Sequence, residues 1–377
     1  MKAAESTRAR QPARASYLWL SAGAVCALTM SQTSCTYDID KIYKHTPGPE
    51  ALPANLIDLW KEPALSAECL ECAKSECFDE NLDCRDDAEC IALTQCVAQA
   101  QDPAAQNDCR AEHVDWLKEA IAERDIGGPY HQCVFLNKCS SACEARTQLN
   151  CTGKYSWPTK LGGGSVKLHL RFVEGLIGRP QAGIRVRACQ QEDPENCLAL
   201  TDWVQTDRDG IAELEVGLAL GSFSGYLELE GGTLYPTLLR FGWPIMAELV
   251  TNITVVSRGS IEPLLNSSVF SVDRDLGLVQ MRMFGCNGVS TRDVGFSIDG
   301  SGTDTKVWYT SGTDIAPNFD VRYTGDRGAG GIINVMPGGR RLSAADSDGK
   351  EIVRNLRVPV RKGTMTIAVV VPDDSTR

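Results

Sequence analysis

Beyond residue 165 the chain alternates. Val166, Leu168, Leu170 and Phe172 fall on one parity, and Lys167, His169 and Arg171 on the other. A period of two predicts a half-buried strand, with His169 on its solvent face. Ile184, Val186 and Ala188 predict the next strand, which runs into Cys189. Residues 198–206 and 211–216 flank Asp207-Arg208-Asp209-Gly210, which has the composition of a hairpin turn. Residues 226–230, 234–241 and 249–256 bring this set to about seven strands. Residues 260–275 contain a short helical stretch and read as a connector. A second set follows, with Val279, Met281 and Met283 on one parity, then Val294, Phe296 and Ile298, then residues 330–335, 352–360 and 364–371.

Before residue 151 the period changes to that of a helix. Cys90, Leu93 and Val97 share one face, Val114, Leu117 and Ile121 another, and Cys139 and Cys143 stand one turn apart on a third. Asn107 or Asp108 is the expected cap of the middle helix, and Gly127-Gly128-Pro129 ends it. Large apolar residues are sparse here, so cross-links must substitute for a core. This stretch holds eleven of the sixteen cysteines: Cys69, Cys72, Cys77, Cys84, Cys90, Cys96, Cys109, Cys133, Cys139, Cys143 and Cys151. It also carries eighteen acidic against seven basic residues between 62 and 150, which predicts a solvated acidic surface.

The first 34 residues change where the chain is expected to work. Lys2, Arg8, Arg10 and Arg14 precede an apolar run from residue 17 to 30. That run suits a signal-peptide core and falls short of the ~20 residues that span a bilayer. Export to an oxidising space accounts for the cysteine density better than metal binding does. Gln32-Thr33-Ser34-Cys35 resembles a bacterial lipoprotein cleavage site, although Leu is usual where Gln32 stands. The resemblance implies lipidation of Cys35 and an outer-membrane address, facing either side, with secretion as the other outcome.

Parity supports it. With Cys26 removed and Cys35 lipidated, fourteen cysteines remain, and all can pair. Cys189 and Cys197 close a short hairpin loop worth about 2.6 kcal/mol in the chain-entropy estimate. Cys286 then needs a partner among the eleven, with Cys151 or another late one favoured. That larger loop is worth about 5 kcal/mol on the same basis. The cysteine-rich module is thus expected to pack against the second β set.

The expected organisation is a signal peptide at 1–34, a tether at 35–61, a helical module at 62–151 and a linker at 152–164. A β-sandwich at 165–258, a connector at 259–276 and a second sandwich at 277–374 follow. The fold class is mainly β: two tandem Ig-like or transthyretin-like sandwiches behind a small disulfide-rich α-helical module. The two β segments are weak copies of each other. Residues 179–186 align with 290–297, and 206–214 with 325–333. Their strand order, the Thr206-Asp207-Arg208-Asp209-Gly210 turn and the stretch from Gly330 to Gly338 resemble carboxypeptidase regulatory-like domains. That resemblance implies transthyretin-like sandwiches without catalytic function of their own. The joined cysteine-rich half is similar to exported bacterial lipoproteins, which implies a stalk or interaction protein.

Composition and motifs exclude more than they assign. A formal net charge of −11 for the whole chain, or −14 once four basic and one acidic residue leave with residues 1–34, argues against nucleic acid. Gly221-Ser222-Phe223-Ser224-Gly225 places Phe223 where a hydrolase elbow needs serine, and no histidine follows His169. Cys69-Leu70-Glu71-Cys72 has no second ligand pair for zinc. Asp207 and Asp209, like Asp346 and Asp348, echo the start of a calcium loop without its closing glutamate, leaving at most weak calcium candidates. No cofactor and no catalytic residue is expected. Trp203, Trp243 and Trp308 are candidates for core packing or for a glycan face. The expected function is a non-enzymatic, membrane-anchored module contacting a protein or glycan partner, with an accessory part of a secreted hydrolase system as a further possibility.

Overall fold

A computed structural model describes residues 67–77, 87–120 and 149–375, with breaks at 160–162, 176–178, 192–193, 219–220, 266–271, 287, 289 and 312–316, together with positions 84, 133, 139 and 142. The signal peptide, Cys35, the tether and Cys143 lie outside the described residues.

The helical module begins with α1 (Ala67–Glu76) and α2 (Ala88–Gln99), followed by α3 (Pro103–Glu112) and α4 (Val114–Ala120). Asp87 caps α2: its Oδ1 accepts from the backbone N–H groups of Glu89 and Cys90 at 3.0 and 3.2 Å. Asp102 caps α3 through the Ala105 N–H at 2.9 Å, with Pro103 in the first turn. Each cap is worth about 1 kcal/mol. Asn107 and Asp108 are therefore not caps but lie inside α3. The Asp-Pro pair is the stronger start because proline at the first helical position gives up only an N–H that is orphaned anyway.

The fold is mainly β, with two β-sandwiches behind the helical module. Strands β1 (Gly164–Glu174), β2 (Arg185–Cys189), β3 (Val204–Gln205), β4 (Ile211–Leu218), β5 (Tyr226–Glu230), β6 (Thr237–Phe241) and β7 (Leu249–Val255) precede α5 (Arg258–Leu265). Strands β8 (Gly277–Met283), β9 (Val294–Ile298), β10 (Ser301–Thr310), β11 (Pro317–Asn318), β12 (Ala329–Val335), β13 (Gly338–Asp346), β14 (Glu351–Val360) and β15 (Met365–Val370) follow.

They assemble into three sheets, ordered β4-β1-β7, β11-β10-β12-β8-β15-β6-β5-β2-β3 and β14-β13-β9. The two sandwiches thus share their long sheet, joined where β6 and β15 pair in parallel, Met365 opposite Thr237 and Val369 opposite Phe241. Each small sheet covers a different face. Leu239, Leu278, Ile333 and Ile367 point into the first core, with Leu168, Leu170 and Phe172. Val279, Ile332, Ala368 and Val370 point into the second, with Phe296, Leu342 and Leu356. Strands at the joint are buried on both faces, and β6, Thr-Leu-Leu-Arg-Phe, is buried at every position.

The sandwiches repeat each other bond for bond at one corner. Thr206 Oγ1 donates to the Gln181 carbonyl at 2.8 Å and accepts from the Ile184 N–H at 3.0 Å. Thr324 Oγ1 donates to the Thr291 carbonyl at 2.9 Å and accepts from the Val294 N–H at 3.1 Å. Four residues after each threonine comes a glycine, Gly210 or Gly328, whose carbonyl accepts from Phe172 or Met283 at 2.8 Å. The strand orders β4-β1-β7 and β12-β8-β15 correspond, each with a parallel closing pair. The matching partners are Gln181 with Thr291 and Thr206 with Thr324, one residue away from the register that the sequence alignment suggests. The small, polar turn residues around each glycine tolerate that slip, whereas the threonine hydroxyl does not.

Gly210 (φ +77°) and Gly328 (φ +57°) are left-handed, and a Cβ would approach the Phe172 and Met283 carbonyl oxygens to 2.6 and 2.4 Å. Gly210→Ala and Gly328→Ala are each expected to cost about 2–4 kcal/mol, combining backbone strain with a backbone clash. A urea midpoint that falls by an amount typical of a surface substitution would contradict this account of the corner.

Candidate functional site

Sulfur forms the core of the helical module. Cys69, Cys77, Cys84, Cys90, Cys133 and Cys139 are buried together around Ala73. Cys72 is bonded to Cys139, Cys77 to Cys133, Cys84 to Cys90, and Cys96 to Cys109. Cys69 is disulfide-bonded as well. Cys151 is joined to Cys286 and Cys189 to Cys197. Every described cysteine is oxidised.

The Cys151–Cys286 bond sits in a small core with Ala104, Tyr155, Trp157 and Val371, so three parts of the chain meet there. Gln106, on α3 and 1% exposed, donates through Nε2 to the Cys286 carbonyl at 3.0 Å. The Gly153 N–H donates to the Asp373 carbonyl at 2.9 Å, and the Ser375 N–H to the Tyr155 carbonyl at 2.7 Å. Residues 153–157, which carry no regular element, are thereby pinned along residues 372–375.

A second contact joins the module to the first sandwich. Val250 of β7 packs against Leu93, Val97, Cys109 and Leu117. Beside it, His169 Nδ1 lies 2.9 Å from Glu213 Oε1 and Nε2 lies 2.5 Å from Glu248 Oε1, and Lys118 of α4 forms an ion pair with the same Glu248. His169 is only 5% exposed, which corrects its placement on a solvent face. The alternation along β1 holds, but the helical module covers the outer face at His169 and Val250, while Lys167 and Glu213 stay exposed. Burial alone would raise the Glu248 pKa, and the hydrogen bonds from Lys118 and His169 outweigh it, holding the carboxyl below its usual value. The Glu248 hydrogen bond likewise raises the Lys118 ammonium above its ordinary value.

The remaining candidates serve as structure. Asp207 Oδ1 accepts from the Asp209 and Ile211 N–H groups, each at 2.9 Å, and Asp346 Oδ1 does the same for Asp348 and Lys350 at 3.1 and 2.8 Å. Both motifs are turns closed by their first aspartate, while Asp209 faces Arg208 at 3.3 Å. Cys189, Cys197 and Glu228 cluster closely enough to suggest three ligands. However, the two sulfurs are bonded to each other, and Glu228 is paired with Arg187 at 2.6 Å and Arg361 at 2.5 Å. Phe223 is buried and pairs through its backbone with Ile245.

The three tryptophans go to different neighbours. Trp203 lies under the guanidinium groups of Arg185 and Arg187 at 5.1 and 4.3 Å, Trp243 packs edge-on to Phe241, and Trp308 covers Gly331. None is fully exposed. The sequence hides the module's seat on β7 because Val250 and His169 look alike whether water or a helix covers them.

No protein family and no curated protein matches the chain. Among solved structures it is similar to the shaft pilin SpaA from Lactobacillus rhamnosus GG, at 10% identity and a TM-score of 0.19, covering 56% of this chain and 98% of that one. It is also similar to the Bacillus anthracis TIE protein, at 9% identity and a TM-score of 0.19, covering 55% of this chain but 34% of that one. At these scores the likeness carries no argument about function.

Glu248→Gln is expected to cost about 1 kcal/mol at neutral pH, the scale of a partly exposed pair within a network. A depressed carboxyl contributes stability above its unfolded pKa and loses it as pH falls through the folded value. The wild-type advantage should therefore vanish in acid, as read from melting curves of both proteins between pH 7 and pH 3. An advantage that grows on acidification would refute the assignment.

Proposed function

We propose that this chain is a non-enzymatic, exported envelope protein, lipidated at Cys35, that displays its two-sandwich body for contact with a partner. The carrying observation is the covalent and packed joint around Cys151–Cys286, which fixes the helical module to both sandwiches. Such a joint suits a rigid display body. Complete oxidation of the described cysteines fits an extracytoplasmic space, where disulfides persist. Among the described residues no helix is long and apolar enough to cross a membrane.

The charged groups support the same reading. His169, Glu228, Arg187 and Arg361 are all engaged in ion pairs within the chain, and Asp207 holds a turn. In cells fed radiolabelled palmitate, the wild-type protein should take up label and fractionate with membranes, while Cys35→Ala should lose both properties. An unlabelled wild type, with Cys35→Ala still on the membrane, would sink the anchor.

A further inference from the structure

The two repeats handle one sheet edge differently. In β12 the Met283-to-Gly328 bond sets the backbone groups of the even-numbered residues toward β8, and those of Gly331 and Ile333 point the other way in the sheet, toward Trp308 and Lys306 of β10. The corresponding strand in the first repeat is β4, as the matched glycines at 210 and 328 establish. Its even-numbered residues face β1 in a ladder that continues the bond from Phe172 to Gly210, which leaves Ile211, Glu213, Glu215 and Gly217 facing outward. Ile211 is closed by the Asp207 turn. The outward backbone groups of Glu213, Glu215 and Gly217 have no partner among the described residues, and these three residues are exposed.

We infer that the outer edge of β4 is a docking edge for an extended segment of a partner protein that adds to the sheet as an antiparallel strand with Lys or Arg at alternate positions. The second repeat supplies the precedent: the same edge there holds the ten-residue β10, with the basic Lys306 at the position facing Ile333, the counterpart of Glu215. Charge selects the occupant. Glu213 and Glu215 stand side by side on the outer face of β4, opposite His169 and Lys167 of β1 on their inner side, so a second copy of β4 laid antiparallel on the free side would still set two acidic pairs against each other. Like charges directly across a strand pair are destabilising, and a basic strand reverses the sign. Backbone bonds along the edge would provide affinity, and the alternate side chains specificity. This rests on the reading of the body as a contact module and names the chemistry of its partner.

The test uses the full oxidised chain and two synthetic ten-residue strands, one alternating lysine with valine and threonine, the other alternating glutamate. Hydrogen–deuterium exchange is followed over residues 211–218. The lysine strand should slow exchange there by about fivefold or more, and the glutamate strand should leave it unchanged. Glu215→Pro removes an outward N–H without breaking a bond to β1, because proline is tolerated at a sheet edge, and it should abolish the protection. Glu215→Lys, which keeps the backbone donor, should weaken the lysine strand about threefold or more and serves if the proline variant misfolds. No protection, equal response to the two strands, or Glu215→Pro protected like wild type would overturn the proposal. Protection by the lysine strand only at another surface would overturn the β4 edge while leaving a contact module intact.

Discussion

The Cys151–Cys286 bond is the constraint on which the rest of the architecture depends. It ties the end of the cysteine-rich module to the loop after β8, across a sequence separation of 135. Strands β1 to β7 all lie inside the covalent loop it closes. Cross-linking a loop of that length removes unfolded-state entropy worth about 5 kcal/mol, against about 2.6 for the Cys189–Cys197 hairpin. The bond also sets where the module can sit. With Cys286 held at Gln106 and Cys151, α3 and α4 come to rest on the outer face of β7, and His169 is covered as a consequence.

Much of this was legible in the sequence, for identifiable reasons. Alternation located the first core because Val166, Leu168, Leu170 and Phe172 are half of a two-sided strand, and that signal survives any arrangement of the other face. If Cys35 is lipidated and all fourteen remaining cysteines pair, Cys286 has to look back into the cysteine-rich stretch, and it is bonded to Cys151. The helical face of Cys90, Leu93 and Val97 is buried, as its spacing implies. What pattern could not supply was the identity of whatever covers the polar side of a strand. His169 looks like a surface residue because its neighbours in sequence do, and the covering helix lies about fifty residues earlier.

The shared sheet was the other hidden feature. Tandem sandwiches would each keep their own edges, whereas β6 and β15 pair and merge two sheets into one of nine strands. A trace of this is present in residues 237–241 and 365–370, which are apolar or buried on both parities, as strands covered on both faces must be. Opposite faces of the long sheet then serve the two cores. The repeat itself was visible only to within a residue, because glycine-rich turns fix composition better than register. The threonine hydroxyls at 206 and 324 fix the register.

The central claim is that one covalent joint locks the helical module and both sandwiches into a single body. Tryptic digestion without reduction, followed by mass spectrometry, tests it directly, since Cys151 and Cys286 fall in separate peptides bounded by Arg146 and Lys154 and by Arg282 and Arg292. The account predicts that these two peptides are recovered as one disulfide-linked species that separates on reduction. Recovery of Cys286 as an alkylated free thiol, or linked to any other cysteine, would contradict it.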